Sequence, residues 1–221
     1  VIPVTLVVIA KAPVAGQAKT RLAASVGEQA AANIAAATLL DTLDAVDATP
    51  VESTVVALTG DLDQAASSRQ IRSRLNDLHL VEQRGDDFSA RLANAIADAA
   101  ATAGPRPVLL IASDTPQVTA DLLADCAHAL LETDVVFGLA RDGGWWVLGV
   151  TDPTMAECLN SIPTSRSDTG IATLEALRDK GLAVTLVAEL SDVDTVDDVQ
   201  IVRAECAPDS RFVHAITAAG L

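Results

Sequence analysis

Two of the three lysines in this chain, Lys11 and Lys19, stand with Arg21 just after the apolar run Thr5-Leu6-Val7-Val8-Ile9-Ala10, in a protein whose formal net charge is -15. Cations gathered against an acidic background suit a phosphate. Such a pair gains ~4 kcal/mol at an effective dielectric of 20 but only ~1 kcal/mol in bulk water, so a partly enclosed loop makes it effective. The plain alternative is a solvated turn carrying ordinary lysines. Carboxylates recur later, at Asp114 in Ser113-Asp114-Thr115-Pro116 and at Asp192 and Asp194 in Leu190-Ser191-Asp192-Val193-Asp194-Thr195. An extended backbone there sends Asp192 and Asp194 to the same side. Carboxylates converging on one point raise one another's pKa unless a cation lies between them. Mg²⁺, with Mn²⁺ as its substitute, is the natural cation, a hard ion taking one or two carboxylates plus water and phosphate oxygens. Helix capping competes with that reading: Asp114 or Thr115 ahead of the turn at Pro116, and Asp194 or Thr195 with Asp197 and Asp198 in the first turn of the last large helix.

The elements that must position these groups are legible in the hydrophobic pattern. Strand-like runs recur at residues 5–10, 54–59, 78–82, 107–112, 134–140, 145–150 and 183–190, with helical patterns between most of them. Glu28 to Val46 is Ala-rich, with Leu39, Leu43 and Val46 at helical spacing, and Phe88 to Ala103 sets Leu92, Ile96 and Ala99 on one face. Alternating strands and helices predict a mainly parallel sheet, and a continuous apolar run such as 5–10 predicts a strand buried on both faces. Ligands of such sheets bind where strands end and loops begin, which is where Lys11 and Asp114 fall.

Length and composition bound the rest. A chain of 221 residues, half of them hydrophobic, forms one domain over 1–221 with a full core. Thirty Asp and Glu against 15 Lys and Arg disfavour nucleic acid and anionic membranes as partners. No basic leader and no run near ~20 apolar residues appears, which predicts a cytoplasmic protein. Cys126, Cys158 and Cys206 lack metal-ligand or disulfide spacing and read as reduced thiols, and His79, His128 and His214 are scattered without a zinc or triad motif.

Two further loops offer ligand contacts. Asp142-Gly143-Gly144 makes a tight turn before Trp145-Trp146, of which one tryptophan should enter the core while the other faces a ligand, or both simply pack. Ser165-Arg166-Ser167-Asp168-Thr169-Gly170 precedes a helix over 171–180 and offers hydroxyls, amides and a guanidinium to an anion, or N-capping by Ser167 or Asp168. Ala15-Gly16-Gln17-Ala18-Lys19-Thr20 is not the NTPase phosphate loop, since Ala18 replaces the Gly before the Lys, and the three-glycine dinucleotide fingerprint is absent.

In their order along the chain, Ala10-Lys11-Ala12-Pro13-Val14-Ala15-Gly16-Gln17-Ala18-Lys19-Thr20-Arg21-Leu22, Ser113-Asp114-Thr115-Pro116, Asp142-Gly143-Gly144-Trp145-Trp146, Ser167-Asp168-Thr169-Gly170 and Asp192-Val193-Asp194-Thr195 resemble a bacterial family. It is the glycosyltransferase-like, radical-SAM/selenodomain-associated transferase family of the nucleotide-diphospho-sugar transferase superfamily, and the likeness spans roughly residues 4–205. More distantly the first, second and last motifs resemble the guanylyltransferases acting on phospholactate or phosphoenolpyruvate and on the molybdenum cofactor. The resemblance implies a three-layer α/β/α sandwich with a Rossmann-like, GT-A-like sheet. It implies nucleotide contacts at Ala10, Lys11, Gly16, Lys19, Arg21, Ser113, Asp142, Gly143, Gly144, Trp145, Ser167, Thr169 and Gly170, and a metal on Asp114, Asp192 and Asp194. Catalysis would rest on Lys11, Lys19, Arg21 and Asp114. Two chemistries stay open: nucleotidyl transfer from a nucleoside triphosphate, or glycosyl transfer from a nucleotide sugar, in each case to a small-molecule acceptor. An inactive nucleotide-binding regulator is a third reading, and the oligomeric state is open. Ala15 stands where the family often has Pro, and Trp145-Trp146 where it often has two tyrosines.

Overall fold

The computed structural model describes residues 1–221. The chain runs β1 (Ile2–Lys11), α1 (Thr20–Val26), α2 (Glu28–Ala48), β2 (Val51–Thr59), α3 (Ser68–Leu75), β3 (His79–Glu82), α4 (Phe88–Ala103), β4 (Val108–Ala112) and α5 (Ala120–Leu130). It continues through β5 (Val135–Leu139), β6 (Trp145–Val150), a 3₁₀ segment (Pro153–Ser161), α6 (Thr169–Asp179), β7 (Val184–Leu186), α7 (Val196–Glu205) and α8 (Arg211–Ala218). The seven strands form one sheet in the order β3-β2-β1-β4-β6-β5-β7. All neighbours pair in parallel except β6, which is antiparallel to both β4 and β5 because it returns from β5 as a hairpin.

The layers follow from the period-two alternation of the central strands. Val4, Leu6, Val8 and Ala10 of β1, with Leu109 and Ile111 of β4, pack under α2 and α5. Val7, Ile9, Val108 and Leu110 face the other way, against α4, the 3₁₀ segment and α6. Each Val, Leu and Ile among these contributes roughly 1.5–3 kcal/mol on burial, so slipping the register of either strand by one residue would exchange two complete apolar faces. A third cluster stands apart: Leu22 of α1, Ile34 of α2, Val193, Val199 and Val202 of the α7 region, and Phe212 and Ile216 of α8. No helix is long and apolar enough to cross a membrane. Cys126 is buried, which pushes its thiol up to about 12, with Asp125 adding to the effect.

The strand expected over 183–190 is shorter than its hydrophobic pattern suggests. Regular pairing ends at Leu186; Val187 N still donates to Phe137 O at 3.0 Å, and the next contact is the bridge between Ala140 and Leu190. Trp146 is the reason: its Nε1 donates to Ala188 O at 2.9 Å, drawing that carbonyl out of the ladder. The indole fits because residue 138 is glycine, where a Cβ would lie 2.4 Å from Trp146 Nε1.

Candidate functional site

β1, β4, the β5–β6 hairpin and the segment after β7 all bring their ends to one edge of the sheet. The loop after β1 folds on itself, with Val14 O accepting from the amides of Gln17 and Ala18, and ends at Lys19, which adopts a left-handed φ of 47° just before α1. That turn aims the lysine inward. Its Nζ donates to Asp114 Oδ2 and to Asp194 Oδ1, both at 2.9 Å, with 12% of the side chain exposed. Arg21, two residues on, reaches Asp194 Oδ2 at 3.2 Å. Oxygens of Asp114, Asp192 and Asp194 lie within 4.8 Å of one another.

The electrostatics follow from this crowding. Burial alone would lower the pKa of Lys19, but the Coulomb attraction and hydrogen bonds of Asp114 and Asp194 raise it on balance, so the ammonium stays charged. For Asp194 burial works upward and is outweighed by Lys19 and then Arg21, leaving the carboxyl below its usual range. Asp192 has no ion-pair partner. Burial first, then Asp114, Asp142 and Asp194, push it up to about 7 against the pull of Lys19. Three carboxylates therefore share two cations, and the least compensated of them is held near the neutral form.

The capping alternatives divide: Asp114 and Thr115 do not cap, whereas Thr195 caps α7 with Asp197 and Asp198 in its first turn, as expected. α5 starts six residues after Asp114 and is capped by Thr119, whose hydroxyl accepts from Leu122 N at 3.2 Å, so Asp114 and Thr115 cap nothing. α7 is capped by a Thr195–Asp198 box, and Asp198 Oδ2 also accepts from Asp194 N at 3.2 Å. That leaves the Asp192 and Asp194 carboxylates facing Asp114. For α6 neither Ser167 nor Asp168 caps by its side chain, because both Asp168 oxygens are taken by Arg166 at 2.9 Å.

A polar network behind the site ties its segments together. Val193 N–H donates to Asp114 O at 3.1 Å. Gln117 Nε2 donates to Ser191 O at 2.6 Å, and Arg141 donates to Ser191 Oγ at 3.3 Å and Glu205 Oε1 at 3.0 Å. Each of these residues is a near neighbour in sequence of a candidate site residue or closes α7.

A cavity of about 210 Å³ opens beside the carboxylates. Arg21, Asp114, Asp142, Gly144, Trp145, Thr169, Asp192 and Asp194 line it as the sequence suggested; both tryptophans reach its lining, Trp145 half-buried and Trp146, 1% exposed, anchored in the core. Other suggested positions lie outside its wall. Lys11 is exposed and donates to Gln17 O at 3.0 Å, Ala10 is buried with its carbonyl bonded to Gln83 Nε2 at 2.8 Å, and Ser113 is half-buried. Gly16 has a left-handed φ of 77° in the turn before Lys19. Gly143 and Gly170 interlock the hairpin tip with the start of α6: Gly170 N donates to Gly143 O at 2.7 Å, and a Cβ on Gly143 would sit 1.9 Å from the carbonyl oxygen of Ser167. Thr169 Oγ1 donates to Pro163 O and accepts from Arg166 N.

Several lining residues escaped the sequence reading: Ile9, Leu92, Leu110 and Thr115 by their place in or beside buried elements, and Phe88 because it was read only as a helix start. The signal for Phe88 was available, since it is one of five aromatics in the chain and stands four residues before Leu92, on the same face of the helix.

The model of a family described as "Uncharacterized protein conserved in bacteria (DUF2064)" matches residues 42–166. No curated protein matches the chain. Among solved structures, a candidate nucleotide-diphospho-sugar transferase from Desulfovibrio desulfuricans G20 is 23% identical, with a TM-score of 0.85 over 98% of this chain and 95% of that one. Rv0371c of Mycobacterium tuberculosis H37Rv, solved in complex with manganese, is 20% identical, with a TM-score of 0.54 over 90% of this chain and 97% of the other. A cytidylyltransferase from Leptospira borgpetersenii serovar Hardjo-bovis is 15% identical, with a TM-score of 0.58 over 100% and 94%. These likenesses establish the fold as that of the nucleotide-diphospho-sugar transferases.

Proposed function

Since the chain belongs to the bacterial DUF2064 family, whose description names no reaction, the chemistry has to come from the site, and we propose that the protein is a metal-dependent nucleotide-utilising transferase. The reading we favour is nucleotidyl transfer: an oxygen of a small phosphorylated or carboxylate acceptor forms a bond to the α-phosphorus of a nucleoside triphosphate. The bond from that phosphorus to the bridging oxygen breaks, and pyrophosphate leaves with the electron pair.

The observation that carries the reading is the placement of the Lys19 ammonium between Asp114 and Asp194, with the unpaired Asp192 beside them. Three hard oxygen donors within 4.8 Å suit Mg²⁺ or Mn²⁺, the fold neighbour with manganese is consistent with that choice, and the raised pKa of Asp192 is what a carboxylate lacking its cation should show. A divalent cation bound there would neutralise phosphate charge and polarise the reacting phosphorus. Lys19 and Arg21 supply donors for phosphate oxygens, Asp114 ties the metal-binding trio to the end of β4, and the apolar walls of the cavity limit water around the transfer. No covalent intermediate on the protein is needed.

Glycosyl transfer from a nucleotide sugar is the second reading, favoured by the description of the Desulfovibrio neighbour. Ser113-Asp114-Thr115 argues against it, since the Asp-x-Asp pattern usual for such enzymes is missing at the middle acidic position. The motif likeness to guanylyltransferases favours GTP as donor, and the cytidylyltransferase likeness keeps CTP in the panel. Incubation of the protein and Mg²⁺ with each nucleoside triphosphate and a set of phosphorylated acids should release pyrophosphate. Nucleoside diphosphate released from a nucleotide sugar, with no pyrophosphate from any triphosphate, would replace the first reading by the second.

A further inference from the structure

The wall of the cavity facing away from the carboxylate trio has a chemistry that a sugar or a small hydroxy acid does not match. Ile9 of β1, Leu110 of β4, Leu92 and Phe88 of α4, and Trp145 of β6 supply its apolar surface. Trp145 is held in place against Phe137, with ring centroids 5.9 Å apart and planes tilted by 49°. Phe88, by contrast, leaves 48% of its surface exposed at the mouth. The polar groups cluster at one rim: Thr164, Ser165 and Arg166. Arg166 is fixed by its two-point contact with Asp168, which uses Nε and one Nη2 hydrogen and leaves three N–H donors for a ligand. Lys11 and Lys19 are absent from the lining, and the cationic loop reaches the cavity only through Arg21, which pairs with Asp194 among the carboxylates.

From this arrangement we infer that the acceptor is an organic anion with a flat or aliphatic apolar body, seated between Phe88 and Trp145 with its phosphate or carboxylate at Arg166. The inference rests on the transferase reading, which puts the donor's phosphates at the carboxylate trio with Lys19 and Arg21 and so leaves the part of the same cavity lined by Phe88, Trp145 and Arg166 to the second substrate. A polyol laid on this wall would exchange hydrogen bonds with water for contact with carbon, whereas an apolar body gains from the same contact. The exposed Asp142 carboxylate, engaged by Gly144 N at 2.7 Å, repels an anion from its own stretch of the lining and favours Arg166.

The test compares phenyl phosphate with glycerol 3-phosphate, two monophosphates that differ in body, by ligand-observed NMR titration with Mg²⁺ and no triphosphate. Phenyl phosphate should bind roughly tenfold tighter or more, and Phe88→Ser, a surface change that leaves the core intact, should remove most of the difference. Equal affinities, or a preference indifferent to Phe88→Ser, would overturn the inference. So would a Phe88→Ser variant that loses affinity for GTP or CTP while keeping the phenyl phosphate preference, because the wall would then hold the base. The two proposals fail separately: Mg²⁺-dependent triphosphate binding without discrimination between the monophosphates removes this one alone. Absence of any triphosphate binding removes the nucleotidyl-transfer reading.

Discussion

Lys19 and Asp192 are opposite halves of one electrostatic problem. In the metal-free protein the ammonium serves as counter-ion to Asp114 and Asp194, while Asp192 has none and stays near neutral. A carboxyl whose folded pKa lies above its unfolded value holds its proton better when folded, so it costs stability as pH rises from about 4 toward 7. Asp192→Asn should therefore raise the melting temperature of the metal-free protein at pH 8 by a few degrees, in proportion to ~1 kcal/mol after allowance for screening. A cation must displace that proton, so Mn²⁺ affinity of the wild type, read by electron paramagnetic resonance, should rise with pH up to about 7 and then level off. Lys19→Met leaves three carboxylates without their internal cation, so Mn²⁺ should raise its melting temperature more than that of the wild type. An equal or smaller rise would mean that Lys19 is not the group standing in for the metal.

At the scale of elements, the site is assembled by segments that meet only in the folded chain. Arg141 joins the β5–β6 hairpin to Ser191 and to Glu205 at the end of α7, and Gln117 reaches the same Ser191 from the loop after β4. Arg141→Leu should leave the central sheet intact, with a melting temperature within a few degrees of wild type, yet weaken Mn²⁺ binding severalfold by loosening the segment that carries Asp192 and Asp194. Unchanged Mn²⁺ affinity would restrict Arg141 to the surface. This level is also where reading the sequence reached its limit. Lys11, Lys19 and Arg21 all stood out as cations in an acidic chain, but only the left-handed turn at Lys19 decides which of them points inward, and Lys11 points out. Asp192 and Asp194 were separable from a helix cap only once Thr195 and Asp198 were seen to form the box themselves. The sheet was legible because buried parallel strands are continuous apolar runs, and the early end of β7 was not, because it depends on an indole from another strand.

Across the whole molecule, the C-terminal helices close the site from behind. The small third core packs Phe212 and Ile216 of α8 against Leu22, which follows the cationic loop, and against Val193, which lies between the two acidic residues. Motif reading assigned nothing to the tail after Cys206, because its contribution is packing, which leaves no chemical signature in a short amphipathic helix. Phe212→Ala should cost roughly 3–5 kcal/mol, the usual range for truncating a buried phenylalanine. Hydrogen exchange should then rise in residues 20–26 and 193–202 before it rises in β1 or β4. Uniform loss of protection across the sheet would show that this cluster is not a separate unit.

The central claim is that Asp114, Asp192 and Asp194 together hold one divalent cation beside the Lys19 loop. Its most direct test is an Mn²⁺ titration of the wild type and of Asp114→Ala, followed by electron paramagnetic resonance with thermal unfolding as the check on folding. One equivalent of Mn²⁺ bound by the wild type, and affinity at least tenfold weaker in a variant that still melts cooperatively, is the predicted result. A folded Asp114→Ala protein that binds Mn²⁺ as tightly as the wild type would contradict the account.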